Sequence, residues 1–203
     1  MPLFRPLAPL AARWDAADGT GLEHLNLRPD GDRIVADSVV IGGRGGVPYG
    51  VRYRIVCRSD WTVVSLDIEG TDGRNLHVVS DGNAHWSDAD GKHLTALDGC
   101  IDVDLAGSPF TNTLPLRRVG LSPEMGPVEF RMLYVPFATF VPTVDEQRYR
   151  CVKPGLYRYE AVDRSFAADL TVDEDGLVID YPQLFRRVAV QGSPASDMNG
   201  SVT

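Results

Sequence analysis

The chain lacks the usual signatures of several broad classes of protein. Its three cysteines, Cys57, Cys100 and Cys151, lie far apart and form no CxxC pair. A disulfide framework and a thiolate zinc site are therefore unsupported, and free thiols in a reducing compartment are expected. No apolar run reaches the roughly 18 residues of a membrane-spanning helix. The opening MPLFRPLAPLAARWD is broken by Pro2, Arg5, Pro6 and Pro9, so it has no unbroken apolar centre of a signal peptide. The expectation is a cytoplasmic protein with no integral membrane segment. Basic runs are also missing, since Arg117-Arg118 and Arg186-Arg187 each stop at two, and the net charge is -8 with a pI near 4.9. That field opposes nucleic acid and anionic lipid and favours a neutral or cationic ligand. There is no GxSxG elbow, no GxGxxG frame and no P-loop lysine, so no cofactor is expected. The glycine-rich Gly42-Gly43-Arg44-Gly45-Gly46 reads as a flexible loop.

Helical periodicity is absent as well. No window carries apolar residues at i, i+3, i+4 and i+7 over three turns, whereas period-two runs recur along the chain. Val51, Tyr53 and Ile55 alternate with Arg52 and Arg54, and Val64, Leu66 and Ile68 alternate with Ser65 and Asp67. A hairpin from Val51 to Glu69 is predicted. Further strands are expected at Val128 to Tyr134, at Tyr157 to Ala161, at Leu170 with Val172, and at Leu177, Ile179 and Tyr181. With 203 residues, 43% hydrophobic and 24% charged, the chain suits one all-β domain of many mostly antiparallel strands with very little helix. The domain is expected over 10–190. The polar stretch 191–203 reads as a mobile C-terminal tail.

The segment Asp98 to Arg118, DGCIDVDLAGSPFTNTLPLRR, is the most chemically particular. On an extended backbone Ile101, Val103 and Leu105 face one way and Asp102 and Asp104 the other. Carboxylates about 7 Å apart repel by roughly 0.6 kcal/mol in water and about 2.4 kcal/mol at an effective dielectric of 20. The pair must therefore meet water, a cation or an arginine, and a returning strand carrying Arg117 and Arg118 is expected to bring one of them back. Paired carboxylates also suit glycoside hydrolysis, but neighbours on one strand do not easily approach a sugar from opposite sides. Calcium is disfavoured because Asp98, Asp102 and Asp104 lack the spacing of a wrapping loop. His77, His85 and His93 recur every eight residues in polar turns, an interval with no mechanism behind it, so no metal site is expected. Trp14, Trp61 and Trp86 offer sugar-stacking faces, although core packing with a bonded indole N–H suits at least two of them. Gln147, Arg148 and Tyr149 read as polar donors near a sheet rim, ahead of a strand start.

The ordered series Trp14 and Glu23, YGVRYRIVCRSDW, DGNAHW, LDGCIDVDLAGSPFTNTLPLRR, QRYRC, LYRYEA and VDEDGLVIDYP resembles a bacterial glycolipid-binding family over about 13–187. The resemblance implies a spiral β-roll and association with glycolipid. It carries over Asp98, Asp102, Asp104, Pro109, Phe110, Thr111, Asn112, Thr113, Pro115, Arg117 and Arg118, with Gln147, Arg148 and Tyr149.

Three functional readings follow. The first is a binder whose rolled sheet encloses an apolar cleft, with Asp, Asn, Arg and Gln at its mouth holding a sugar head; its ligand residues are Asp98, Asp102, Asp104, Thr111, Asn112, Arg117, Arg118, Gln147, Arg148, Tyr149, Trp14 and Trp86. The second is an enzyme of glycolipid or glycan metabolism using Asp102 and Asp104. The third is a scaffold whose sheet edge pairs with another chain. Homodimerisation is expected on general grounds of symmetry.

Overall fold

The computed structural model describes residues 3–44 and 46–188. Period-two patterning directs the backbone. In β1 (Leu10–Ala16) Ala12 and Trp14 are buried between exposed Ala11, Arg13 and Asp15. In β2 (Leu22–Asp30) Glu23, Leu25 and Leu27 point inward. The chain then meanders through β3 (Arg33–Arg44), β4 (Val47–Arg58), β5 (Val63–Gly70), β6 (Asn75–Ser80) and β7 (Trp86–Asp88), each antiparallel to the one before. The predicted hairpin is β4 with β5. Asp60 Oδ1 accepts the Thr62 N–H at 2.9 Å to close its connection.

The second half begins with β8 (Asp102–Leu105), followed by the short helix α1 (Thr113–Val119) and β9 (Val128–Val135). It returns through β10 (Thr143–Lys153), β11 (Leu156–Ala161), β12 (Ala167–Val172), β13 (Val178–Tyr181) and β14 (Phe185–Arg187). Among the described residues these strands form one 14-stranded sheet in the order β7-β6-β5-β4-β3-β2-β1-β14-β13-β12-β11-β10-β9-β8. The fold is all-β, 54% strand and 9% helical, and the sheet does not close into a barrel. Every neighbouring pair is antiparallel except β8 with β9. The two halves join where β1 meets β14, through Trp14↔Arg187, Asp15↔Arg186 and Ala16↔Phe185.

The two edge strands, β7 and β8, are consecutive in the chain. The span between them is held at β7: Trp86 Nε1 donates to the Cys100 carbonyl at 2.8 Å, and the Gly99 N–H to the Ala84 carbonyl at 2.9 Å. Cys100 is only two residues from β8, so both edges lie close together and the sheet must curl. As a result β9 has apolar clusters on both faces, and β8 adds Val103 and Leu105 to one of them. Val103, Leu105, Leu133 and Val135 pack with the β1–β7 core, while Phe130 and Met132 pack with Tyr149, Tyr157 and Leu170.

Several sequence expectations are corrected. The glycine-rich segment is mostly strand, since Gly42 and Gly43 pair with Tyr49 and Pro48 at the end of the β3–β4 hairpin. Arg117 and Arg118 return on α1 and not on a strand. This helix tolerates Pro115 in its first turn and ends at Gly120 in the left-handed region (φ 64°), whose N–H bonds the Leu116 carbonyl. Ile179 faces solvent and Val178 is buried, because the register shifts between Thr171 and Val172. Gln147, Arg148 and Tyr149 sit in the middle of β10, away from any rim. The stretch 191–203 lies outside the described residues.

Candidate functional site

The stretch Gly107 to Leu116 is buried throughout and fills the space inside the curled sheet. Its polar side chains must find partners there, because an unbonded buried polar group costs about 1–3 kcal/mol. Thr111 Oγ1 donates to Asp104 Oδ1 at 2.9 Å, Asn112 Nδ2 to the Pro109 carbonyl at 3.1 Å, and Thr113 Oγ1 to the Gly176 carbonyl at 2.9 Å. Gln147 Nε2 reaches Asp104 Oδ2 at 2.7 Å and Asp145 Oδ2 at 2.8 Å. Tyr149 Oη donates to Asn112 Oδ1 at 2.8 Å. Asp104 is thus fixed on one side by the 3-10 turn Pro109–Asn112 that precedes α1 and on the other by β10.

Asp102 has a different environment. Arg118 forks onto it with Nε–Oδ1 at 3.0 Å and Nη2–Oδ2 at 2.6 Å, while only 1% of the Asp102 side chain is exposed. Burial holds this carboxyl above the ordinary aspartate range, with the Arg118 hydrogen bonds and charge opposing only in part. The two aspartates expected to act side by side are therefore divided: Asp102 is consumed by an internal ion pair, and Asp104 lines a recess.

That recess is one of two neighbouring pockets, termed lobes, that share part of their lining. One, about 380 Å³, is lined by Asp104, Asn112, Asp145 and the rings of Tyr134, Tyr159, Phe166 and Tyr181. The other, about 210 Å³, is bounded by Trp14, Glu23, Tyr49, Gly107 and the apolar side chains of Leu22, Val40 and Ile41. Ala106, Leu184 and Phe185 form a wall common to both. Close backbone approach keeps the smaller lobe open. A Cβ at Gly107 would stand 2.6 Å from Tyr49 Oη and 2.8 Å from the Phe137 ring, and one at Gly42 would stand 2.8 Å from the same hydroxyl.

Glu23 is the functional candidate that sequence reasoning missed as a site residue. It is buried in β2, and three hydroxyls converge on its Oε1: Tyr53 at 2.5 Å, Ser38 at 2.8 Å and Ser108 at 2.9 Å. Oε2 is closed to solvent and has no hydrogen-bond partner. Burial pushes the carboxyl up to about 7, against the hydroxyl bonds and the field of Arg187, which favour its charged form. A signal was present in the sequence, because Glu23 occupies the inward register with Leu25 and Leu27. Its partners come from β3, β4 and the segment after β8, which local pattern does not connect.

The remaining expected residues are scattered. Trp14 lines the smaller lobe with its Nε1 on the Val178 carbonyl at 2.7 Å. Trp86 is fully buried away from both lobes. Asp98 accepts from His93 Nε2 at 2.7 Å near β7. Arg117 bonds the carbonyls of Asp175 and Arg5 and lies over the Trp61 ring at 4.5 Å. Arg148 points outward to Glu129 at 2.5 Å. Thr111, Gln147 and Tyr149 brace the larger lobe from behind. His85 and His93 come together with rings 5.9 Å apart, each bonded to an aspartate. Among the described residues no group of three or more His, Cys, Asp or Glu is placed to hold a metal ion, and no helix is long and apolar enough to cross a membrane.

Comparison with known proteins adds the family. A family model described as "Putative glycolipid-binding" matches residues 11–187. The crystal structure of a DUF1089-family protein from Pseudomonas aeruginosa is 40% identical, with a TM-score of 0.72, and the match covers 83% of this chain and 92% of that one. No curated protein matches. Both the length of the family match and the identity to a solved relative over most of the fold lead to one conclusion: the chain belongs to the family described as "Putative glycolipid-binding".

Proposed function

We propose that the protein binds a glycolipid or other sugar-bearing amphiphile in the two-lobed recess, without transforming it. The single observation that carries this reading is the pairing of unlike lobes across one wall. The larger lobe offers carboxylates, an amide and several aromatic rings, the combination that hydrogen-bonds hydroxyls and stacks on sugar faces. The smaller one sets Leu22, Val40, Ile41, Leu184 and Phe185 around the Glu23 carboxyl, a lining for a group that is apolar along its stem and polar at its tip. The larger lobe alone falls within the roughly 300–1,000 Å³ of small-molecule sites. The family description supports the same class of ligand. Buried free thiols at Cys57, Cys100 and Cys151 suit a cytoplasmic setting.

Native mass spectrometry of freshly purified protein tests the reading, with Ala106→Leu as the comparison because Ala106 borders both lobes. A lipid-sized adduct on the wild type, diminished in the variant, is expected. A clean apo mass together with no binding of added alkyl glycosides would overturn it.

An enzymatic reading has one observation in its favour, the Glu23 carboxyl near neutrality, which suits a general acid or base. Hydrolysis of a nitrophenyl glycoside that disappears in Glu23→Gln would establish it in place of simple binding.

A further inference from the structure

The charge of the lining narrows the ligand further, given the binding reading above. Among the described side chains no lysine, arginine or histidine lines either lobe, whereas Asp18 and Glu23 line one and Asp104 and Asp145 the other. All four carboxylates are bonded within the protein: Asp18 by the N–H and hydroxyl of Thr20, Asp104 by Thr111 and Gln147, Asp145 by Gln147, and Glu23 through Oε1 alone. Glu23 differs. Its Oε1 is crowded by three donors while Oε2, in a side chain almost wholly buried in the wall of the smaller lobe, has none. A buried carboxylate oxygen without a donor is costly, and the cheapest remedy is a donor that also brings positive charge. We propose that the ligand's head group carries a primary ammonium and that Glu23 Oε2 receives it from the smaller lobe, so that the protein selects an amine-bearing glycolipid over neutral and acidic ones.

The surroundings agree. Trp14, Tyr49 and Phe185 set aromatic rings around this lobe, and rings attract ammonium groups. The elements packed on Glu23 bring little competing charge: β3 contributes Ser38, the turn after β8 contributes Ser108, and β4 contributes the Tyr53 hydroxyl. Arg187 on β14 acts on Glu23 only through its field; its guanidinium lies over the Trp14 ring at 4.6 Å and bonds the Val178 carbonyl and Asp173. Because Glu23 is only partly ionised near pH 7, ammonium binding must drive off its proton.

The test is calorimetric titration of the full chain with three decyl glucosides that differ only in the group on the fifth sugar carbon, an aminomethyl, a hydroxymethyl or a carboxylate. The amine is expected to bind at least about tenfold tighter than the alcohol, and the acid weakest of all. In Glu23→Gln the ratio of amine to alcohol affinity falls to near unity. A second readout needs no variant: wild-type affinity for the amine rises between about pH 6 and pH 8 while that for the alcohol stays level. Equal binding of amine and alcohol by the wild type would overturn the ammonium assignment and leave glycolipid binding intact. Failure of all three to bind would overturn both.

Discussion

At the scale of single residues, Glu23 makes the protein's stability depend on pH in an unusual direction. Its carboxyl ionises near 4.5 when unfolded and near 7 when folded, so between these values the folded state holds more protons. The contribution is full below about pH 4.5 and lost as pH rises through 7. A shift of that size is worth about 3 kcal/mol. Urea unfolding should therefore show Glu23→Gln gaining about 3 kcal/mol on the wild type between pH 4.5 and pH 8. Parallel curves for the two proteins would show that Glu23 is not held as described. Asp102 and Arg118 behave differently, as a buried pair already matched. Arg118→Met should cost about 3–5 kcal/mol by stranding the carboxylate, and adding Asp102→Leu should restore most of the loss. Thermal melts of the two variants decide this, and a double variant no better than the single would show that the pair does more than neutralise itself.

The elements were partly legible. Alternation in β4, β5 and β11 identifies strands and their inward faces because each has one buried face, which is the condition for a period-two signal. The same rule failed at β9, where Leu133 and Val135 are buried on one face and Met132 on the other, and at β13, where a register shift exchanged Ile179 for Val178. Glycines misled at the β3–β4 hairpin. Gly42 serves close approach to Tyr49 inside a paired strand, and no local pattern distinguishes that from a loop. This contrast is measurable. Gly107→Ala drives a Cβ against Tyr49 and Phe137 and should cost about 1–3 kcal/mol, along with loss of bound ligand. Gly43→Ala has no neighbour nearer than 3.6 Å and should be close to neutral in chemical denaturation. Similar losses at both positions would remove the argument that close packing sets the shape of the smaller lobe.

At the scale of the molecule, two meanders are joined by three register pairs between β1 and β14, and the rest of the sheet depends on that seam. A chain ending at Leu184 should lose cooperative unfolding and aggregate, because β1 and β13 become open edges. A chain ending at Val188 keeps the seam and serves as its control. Equal melting of the two in a calorimeter would mean that the halves hold together without β14.

What the sequence determined alone is the strand content, the scarcity of helix and the acidic character of the chain, since each follows from local periodicity or simple composition. It also marked the Asp98 to Arg118 segment as exceptional. The division of labour inside that segment was decided only by the tertiary structure. Curling the sheet set α1 over β8, which joined Arg118 to Asp102, and brought Ser108 to Glu23 from 85 residues away. Period-two alternation says which side of a strand is covered. It carries no information on which distant strand does the covering, and the environment of a buried carboxylate depends on that partner.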